Sequence, residues 1–263
     1  FRNDSITATN QPHVVLTYTY ELALGKDSGT FNRCLKEPTD RLLGIMGRYD
    51  AHGIFFVDAT YVLRLMEEKH DDLGPLKDQI GAMIEAGHSI ELHLHPHWID
   101  AQPIAGNRWQ FQSHEHFRLH SFEPDRRRQI FLAATDALEQ LVRPLLPEYR
   151  ISAFRAGGWG IRPFEPIRSL FLDKGIKIDF SVVPGLFLDR KPDHFYDFRH
   201  VDDRQSYWRF DSDPSQPEPQ GAFWEVPVST YSVSTFRLTW HRFRTPRQKG
   251  YGDGISFTTK HVP

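Results

Sequence analysis

Short apolar runs alternate with longer stretches of helical period along most of this 263-residue chain, and that alternation restricts the fold more than any other feature. Strands read from such runs lie parallel, each joined to the next by a crossover helix. The first run is Val14-Val15-Leu16-Thr17-Tyr18. After a Gly- and Ser-bearing loop from Gly25 to Thr30, Glu37-Pro38-Thr39-Asp40 opens a helix that carries Leu42, Leu43, Ile45, Met46 and Tyr49, and His52-Gly53 ends it. Ile54-Phe55-Phe56-Val57 is a second strand closing on Asp58. Helices follow from Tyr61 to Lys69 and from Pro75 to Ala86, where Gly87 stops the chain just before the third strand. Pro124 to Leu145 is the longest helix, with Ile130, Ala133, Ala134, Ala137, Leu138, Leu141 and Val142 as its apolar stripe. Ile151 to Phe154 is a fourth strand, Pro163 to Lys174 a helix and Lys177 to Val182 a fifth strand. Asp202 to Gln220 is polar and Pro-bearing and reads as a loop, with later strands at Phe223 to Ser229 and Ser232 to Trp240. The expected fold class is α/β: a single domain over residues 1–263, a distorted (β/α)7-type barrel with its core at about 14–230.

The third strand carries the chemistry. In Gly87-His88-Ser89-Ile90-Glu91-Leu92-His93-Leu94-His95-Pro96-His97-Trp98, a two-residue period puts Ile90, Leu92 and Leu94 on one face. Ser89, Glu91, His93 and His95 take the other. Ionisable groups on a buried strand need partners or a task. Imidazoles converging where Pro96 turns the chain can ligate a divalent metal; a hydrogen-bonded histidine cluster is the plainer alternative. In parallel α/β folds function collects at the carboxyl ends of strands. Glu21, Asp58, His93 to His97 and Arg155 all fall there, and Asp179 lies within strand five. Each has an ordinary alternative. Asp58 can simply cap the next helix, Glu21 can pair with a surface cation, and His95 can serve as ligand, substrate donor or solvent-facing residue. Glu91 is expected to orient a histidine by hydrogen bonding. A buried Arg155 calls for a carboxylate partner, which Glu21, Asp58 or Asp179 could supply.

Bulk properties exclude more than they assign. The net charge of −2 gives no electrostatic footprint for nucleic acid, and the apolar runs are far too short to span a membrane. Cys34 is alone, so no internal disulfide is possible. With no secretory hydrophobic segment read in the sequence, the expectation is a cytoplasmic protein. Aromatic residues make up 13% of the chain, enough to serve both core packing and stacking on sugar rings.

This order of elements resembles the polysaccharide deacetylase family, the NodB-homology fold of carbohydrate esterase family 4, over most of the chain. Gly87-His88 leading into His93 and His97 looks like its second motif. Phe154-Arg155-Ala156-Gly157-Gly158-Trp159-Gly160 looks like the third, and Asp179-Phe180-Ser181 is similar to the fourth. Thr17 to Leu22, with Phe55-Phe56-Val57-Asp58, looks closest to a bacterial branch whose first motif reads Thr-Phe-Asp-Tyr-Glu-Leu. The resemblance implies His93, His97 and Asp58 as ligands of a divalent metal, zinc by expectation. It implies catalytic roles for Glu21, Asp58, Arg155, Asp179 and His261, with His95 and Trp159 placed against a carbohydrate substrate. It further implies metal-dependent hydrolysis of N-acetyl groups on a hexosamine-containing glycan.

The first motif departs from the family. Thr19 and Tyr20 stand where the family has an Asp base and, commonly, an Asp ligand, and a threonine hydroxyl is no base near neutral pH. Asp58 or Glu21 takes over the base role, or the protein binds metal or sugar without turnover, or the Asp was replaced to trap an inactive form. A metal-independent hydrolase of a cyclic amide, on the same fold, is a further alternative. Ser113 to His120, rich in histidine, reads as a lid loop rather than a second metal site.

Overall fold

The computed structural model describes residues 14–23, 28–112, 116–190 and 194–230. Its centre is a seven-stranded sheet. The strands are β1 (Leu16–Tyr20), β2 (Gly53–Asp58), β3 (Ser89–Leu94), β6 (Ala153–Ala156), β7 (Ile178–Asp179), β10 (Trp208–Phe210) and β11 (Phe223–Glu225). Their order is β1-β2-β3-β6-β7-β11-β10, parallel throughout except for β10 against β11. The helices are α1 (Glu37–Arg48), α2 (Ala59–Glu67), α3 (Leu73–Glu85), α4 (Pro124–Val142) and α5 (Glu165–Lys174). The α/β class and the mainly parallel sheet are as expected. Among the described residues β1 and β10 are the outer strands and no ladder joins them, so this sheet is open rather than a closed barrel.

β2 is buried along nearly its whole length, as befits an apolar run in a parallel sheet covered on both faces. The main core lies between sheet and helices, where the α4 stripe Ile130, Ala134, Leu138 and Val142 is fully buried and α4 packs on α2. The other face of the sheet holds a small cluster of Phe56, Ala153 and Phe180. Helix boundaries follow capping chemistry. Asp58 caps α2, so that helix starts at Ala59 rather than Tyr61. Pro75 sits inside the first turn of α3, where its missing N–H is not needed, so α3 begins two residues before it, at Leu73. Gly175, at φ 72°, terminates α5.

Pattern reading misses the short elements. The stretch expected as a loop from Asp202 to Gln220 contains β10. Two antiparallel hairpins, β4–β5 (Gln102–Ile104, Arg108–Gln110) and β8–β9 (Phe187–Arg190, His194–Asp197), lie outside the main sheet. A π-helical turn over Asn32–Lys36 leads into α1. The strand expected at Ser232 to Trp240 lies outside the described residues. No helix among the described residues is long and apolar enough to cross a membrane.

Candidate metal centre

Strand register aligns the site before any side chain is considered. His93 on β3 pairs with Asp58 on β2 and with Arg155 on β6. In parallel strands such partners share a face, so one row crosses three strands at their carboxyl ends. β1 ends one strand further out at Tyr20, and Glu21 follows it.

Glu21, His93 and His95 converge. Glu21 Oε2 lies 3.1 Å from His93 Nε2 and 2.7 Å from His95 Nε2. One donor atom from each of the three falls within 4.8 Å of the others. The two-residue period puts both rings on one face, with centroids 4.7 Å apart. His93 Nδ1 is 2.7 Å from the Arg155 carbonyl, which can only accept, so Nδ1 carries a proton. Nε2 is then the atom left to face a carboxylate. Either a second proton or a cation satisfies that contact. Such a back-side hydrogen bond to a carbonyl is how ligating imidazoles are held in place.

Electrostatics reinforce the cluster. Burial disfavours the Glu21 carboxylate, but His95 and His93 outweigh it and hold its pKa far below the ordinary carboxylate range. Burial likewise opposes a charged His95, yet Glu21 and Asp58 raise its pKa. Asp58 is completely buried and its pKa is raised, desolvation exceeding the pull of His95 and His93.

Asp58 does two things with its two oxygens. Oδ1 accepts from the Thr60 and Tyr61 amides at 3.2 and 3.4 Å, the Thr60 hydroxyl at 2.6 Å and the His95 amide at 3.3 Å. The helix-cap alternative is therefore real. Oδ2 is buried with no hydrogen-bond partner, an expensive state for a carboxylate unless water or an ion completes it.

His97 is elsewhere. Its ring is buried between Phe117, stacked at 5.8 Å, and Phe111 at 4.7 Å. The trio expected from sequence, His93, His97 and Asp58, thus differs from the trio gathered here, in which His95 and Glu21 stand with His93. The reason is geometric: His97 belongs to a 3-10 turn, Pro96–Asp100, that leaves the strand direction.

The third-motif segment shapes the floor. A Cβ on Gly157 would lie 2.8 Å from His95 Nδ1, so only glycine lets that ring occupy its place. Gly158 and Trp159 both have positive φ, 55° and 60°, an unusual conformation for Trp159. The Trp159 ring lies 5.6 Å from the Arg155 guanidinium.

Two expectations about partners are corrected. Arg155 forms no ion pair among the described residues. It donates to Thr17 Oγ1 at 2.7 Å, Thr19 Oγ1 at 3.3 Å and the Phe180 carbonyl at 3.3 Å. Asp179 instead accepts from Ser181 and hydrogen-bonds Glu225, its register partner on β11. Glu91 turns away from the histidines: its carboxylate accepts the Ser152 and Ala153 amides at 2.9 and 2.8 Å and the Ser152 hydroxyl at 2.7 Å. Its work is to fix the start of β6 against β3.

No protein-family model and no curated protein sequence matches the chain. Solved structures do match. A Mycobacterium smegmatis protein assigned as a polysaccharide deacetylase is 20% identical, with 74% of this chain and 49% of that one covered and a TM-score of 0.40. The family 4 carbohydrate esterase of Streptomyces lividans, in complex with acetate, is 13% identical, with coverage of 64% and 61% and a TM-score of 0.38. A CE4 family pseudoenzyme from Bacillus anthracis is 11% identical, with coverage of 64% and 44% and a TM-score of 0.37. The chain is similar to family 4 carbohydrate esterases. It spans 49% of the first of these structures and 61% of the second.

Other named residues stay apart from the cluster. His116 contacts Asp100 and packs on Phe122, and His120 bonds the Pro163 carbonyl at 2.6 Å, its pKa lowered to about 4 mainly by burial. Ser113, His114, Glu115 and His261 lie outside the described residues. Sequence reasoning missed Thr17 and Glu225. Thr17 sits two residues before Thr19 on the same strand face, a signal that was available. Nothing local marked Glu225, whose significance comes only from pairing with Asp179.

Proposed function

We propose that the chain is a metal-dependent hydrolase of the polysaccharide deacetylase superfamily that removes N-acetyl groups from a hexosamine-containing glycan. The convergence of Glu21, His93 and His95 on one point carries this reading. Two imidazoles and a carboxylate are a hydrolase-type donor set for zinc, leaving a position open. The unpartnered, buried Asp58 Oδ2 beside them fits the same arrangement. A divalent ion held there would polarise the acyl carbonyl and bring the pKa of water toward about 7.

The chain's own residues do the rest. Asp58 Oδ2 takes the proton from the attacking water; its raised pKa makes it a better acceptor than an ordinary aspartate. Oδ1, fixed by the α2 amides, keeps the other oxygen aimed. Trp159 offers a flat wall for the sugar. Asp179, tied to Ser181 and Glu225, supports β6 and β7 behind Arg155. His261 is assigned the proton for the leaving amine on the strength of the family resemblance.

Metal analysis and acetate release on a panel of N-acetylated glycans test the reading. Bound zinc should be stoichiometric in the native protein and reduced to traces in H93A and H95A, with acetate release lost in both. Stoichiometric metal with no acetate release on the whole panel would leave a second reading, a sugar- or metal-binding protein without turnover. One observation favours that reading: Thr19 occupies the family's base position, and its hydroxyl only accepts from Arg155.

A further inference from the structure

Arg155 is 4% exposed, and no carboxylate among the described residues lies in ion-pair contact with it. Its three hydrogen bonds all end on neutral oxygens, those of Thr17, Thr19 and Phe180. A guanidinium has five N–H donors, so one hydrogen on each Nη is unused. Asp179, Glu21 and Glu225 attract it from a distance without pairing. Burying a cation in this state is unfavourable, and truncation studies of buried pairs show how strongly an unmatched partner is felt. The Phe56 ring, 4.3 Å away, and Trp159 give the guanidinium two aromatic walls. The two threonines it bonds are both only half-buried and lie on the strand face that leads to Glu21.

We infer that Arg155, with the hydroxyls of Thr17 and Thr19, forms a carboxylate subsite, and that the substrate is an N-acetylated amino sugar bearing its own carboxylate rather than a neutral one. The planar fork of the guanidinium fits a carboxylate through its two unused Nη hydrogens, a bidentate match that a hydroxyl cannot give. Thr17 and Thr19 Oγ1 accept from Arg155, which leaves their own hydrogens to donate to the same anion. A carboxylate of the protein at position 19 would fill this place itself. Here it is left to the ligand. The inference rests on the deacetylase reading for the sugar class, and on Arg155 alone for the charge.

The test compares N-acetylglucosamine with its 6-carboxylate, 2-acetamido-2-deoxyglucuronate, by titration calorimetry on the zinc-loaded protein. The uronate should bind at least about tenfold more tightly, the effect of one charge-assisted bidentate contact worth roughly 1.4 kcal/mol. R155M should erase that preference. T19D, which supplies an internal carboxylate to the guanidinium, should erase it too, and serves if R155M fails to fold. Equal binding of the two sugars, binding of neither, or a preference that survives T19D overturns the inference. Acetate release separates the two readings. A uronate preference without release on either sugar removes the deacetylase and keeps the subsite; release without preference does the reverse.

Discussion

At the scale of single residues, Asp58 is asked to serve two masters, and its substitutions separate them. Its Oδ1 caps α2 and its Oδ2 is buried with no partner, while the group as a whole feels the pull of His95 and His93. Asn keeps an accepting oxygen for the Thr60 and Tyr61 amides but places an N–H₂ where the proton acceptor was. D58N should therefore stay within about 1 kcal/mol of the native protein in denaturant unfolding, whereas D58A should lose roughly 1–2 kcal/mol with the cap. Acetate release should fall at least about a hundredfold in both, the typical contribution of a general base. If D58N retains native turnover, Asp58 is only a cap. His95 has its own residue-scale lesson. The sequence period already placed it beside His93, but the family motif pointed past it to His97. Periodicity describes the strand, and the Glu21, His93 and His95 cluster follows it. What no period could show is the 3-10 turn at Pro96 that sets the His97 ring against Phe111 and Phe117 beside His95.

Between elements, the tightest constraint is the seam where the end of β3 meets the turn after β6. Gly157 lies against the Leu94 carbonyl and the His95 ring with no space for a side chain. G157A must push either the strand end or the ring, and overpacking of this kind costs about 1–3 kcal/mol. Because His95 is one of the neighbours to be displaced and the other is the backbone just before it, zinc affinity should fall along with stability. Metal titration and thermal unfolding check both. A variant that loses stability but binds zinc normally would show that the ring is not where the ion is held. This seam also shows which parts of the fold were legible. Long periodic segments such as α4, and apolar runs such as β2, declare themselves through burial patterns set over many residues. The three-residue strand β10 and the two hairpins do not, since each is too short to show a period. Pattern reading therefore gave the row Asp58, His93, Arg155 but not the Asp179–Glu225 pair, which exists only because β7 and β11 are neighbours.

For the molecule as a whole, acidity is stored in the interior. Asp58, Glu91, Asp179 and Glu225 all have pKa values raised first by desolvation. Glu225 is the extreme case: fully buried and facing Asp179, it is held well above its ordinary 4.5, first by desolvation and then by Asp179, with which it shares a hydrogen bond. A carboxyl whose pKa rises on folding stabilises the fold below its unfolded pKa, and that contribution is lost as pH climbs through the folded value. Glu225 thus makes the protein less stable on the alkaline side than a neutral isostere would. In E225Q the amide oxygen can still accept the Val182 amide, as Oε1 does at 3.0 Å, and the amide nitrogen can donate to Asp179 without a proton to lose. The variant should match the native protein near pH 4 and exceed it at pH 8.5. The expected gain is a Tm higher by roughly 2–4 °C, the shift that about 1 kcal/mol produces in a domain of this size. Scanning calorimetry of both proteins after chelation, across that range, decides the matter. Two Tm curves running parallel from acid to base would mean that the Asp179–Glu225 proton is not linked to folding. A gap opening only above about pH 4.5 would identify this pair as what limits stability in alkali.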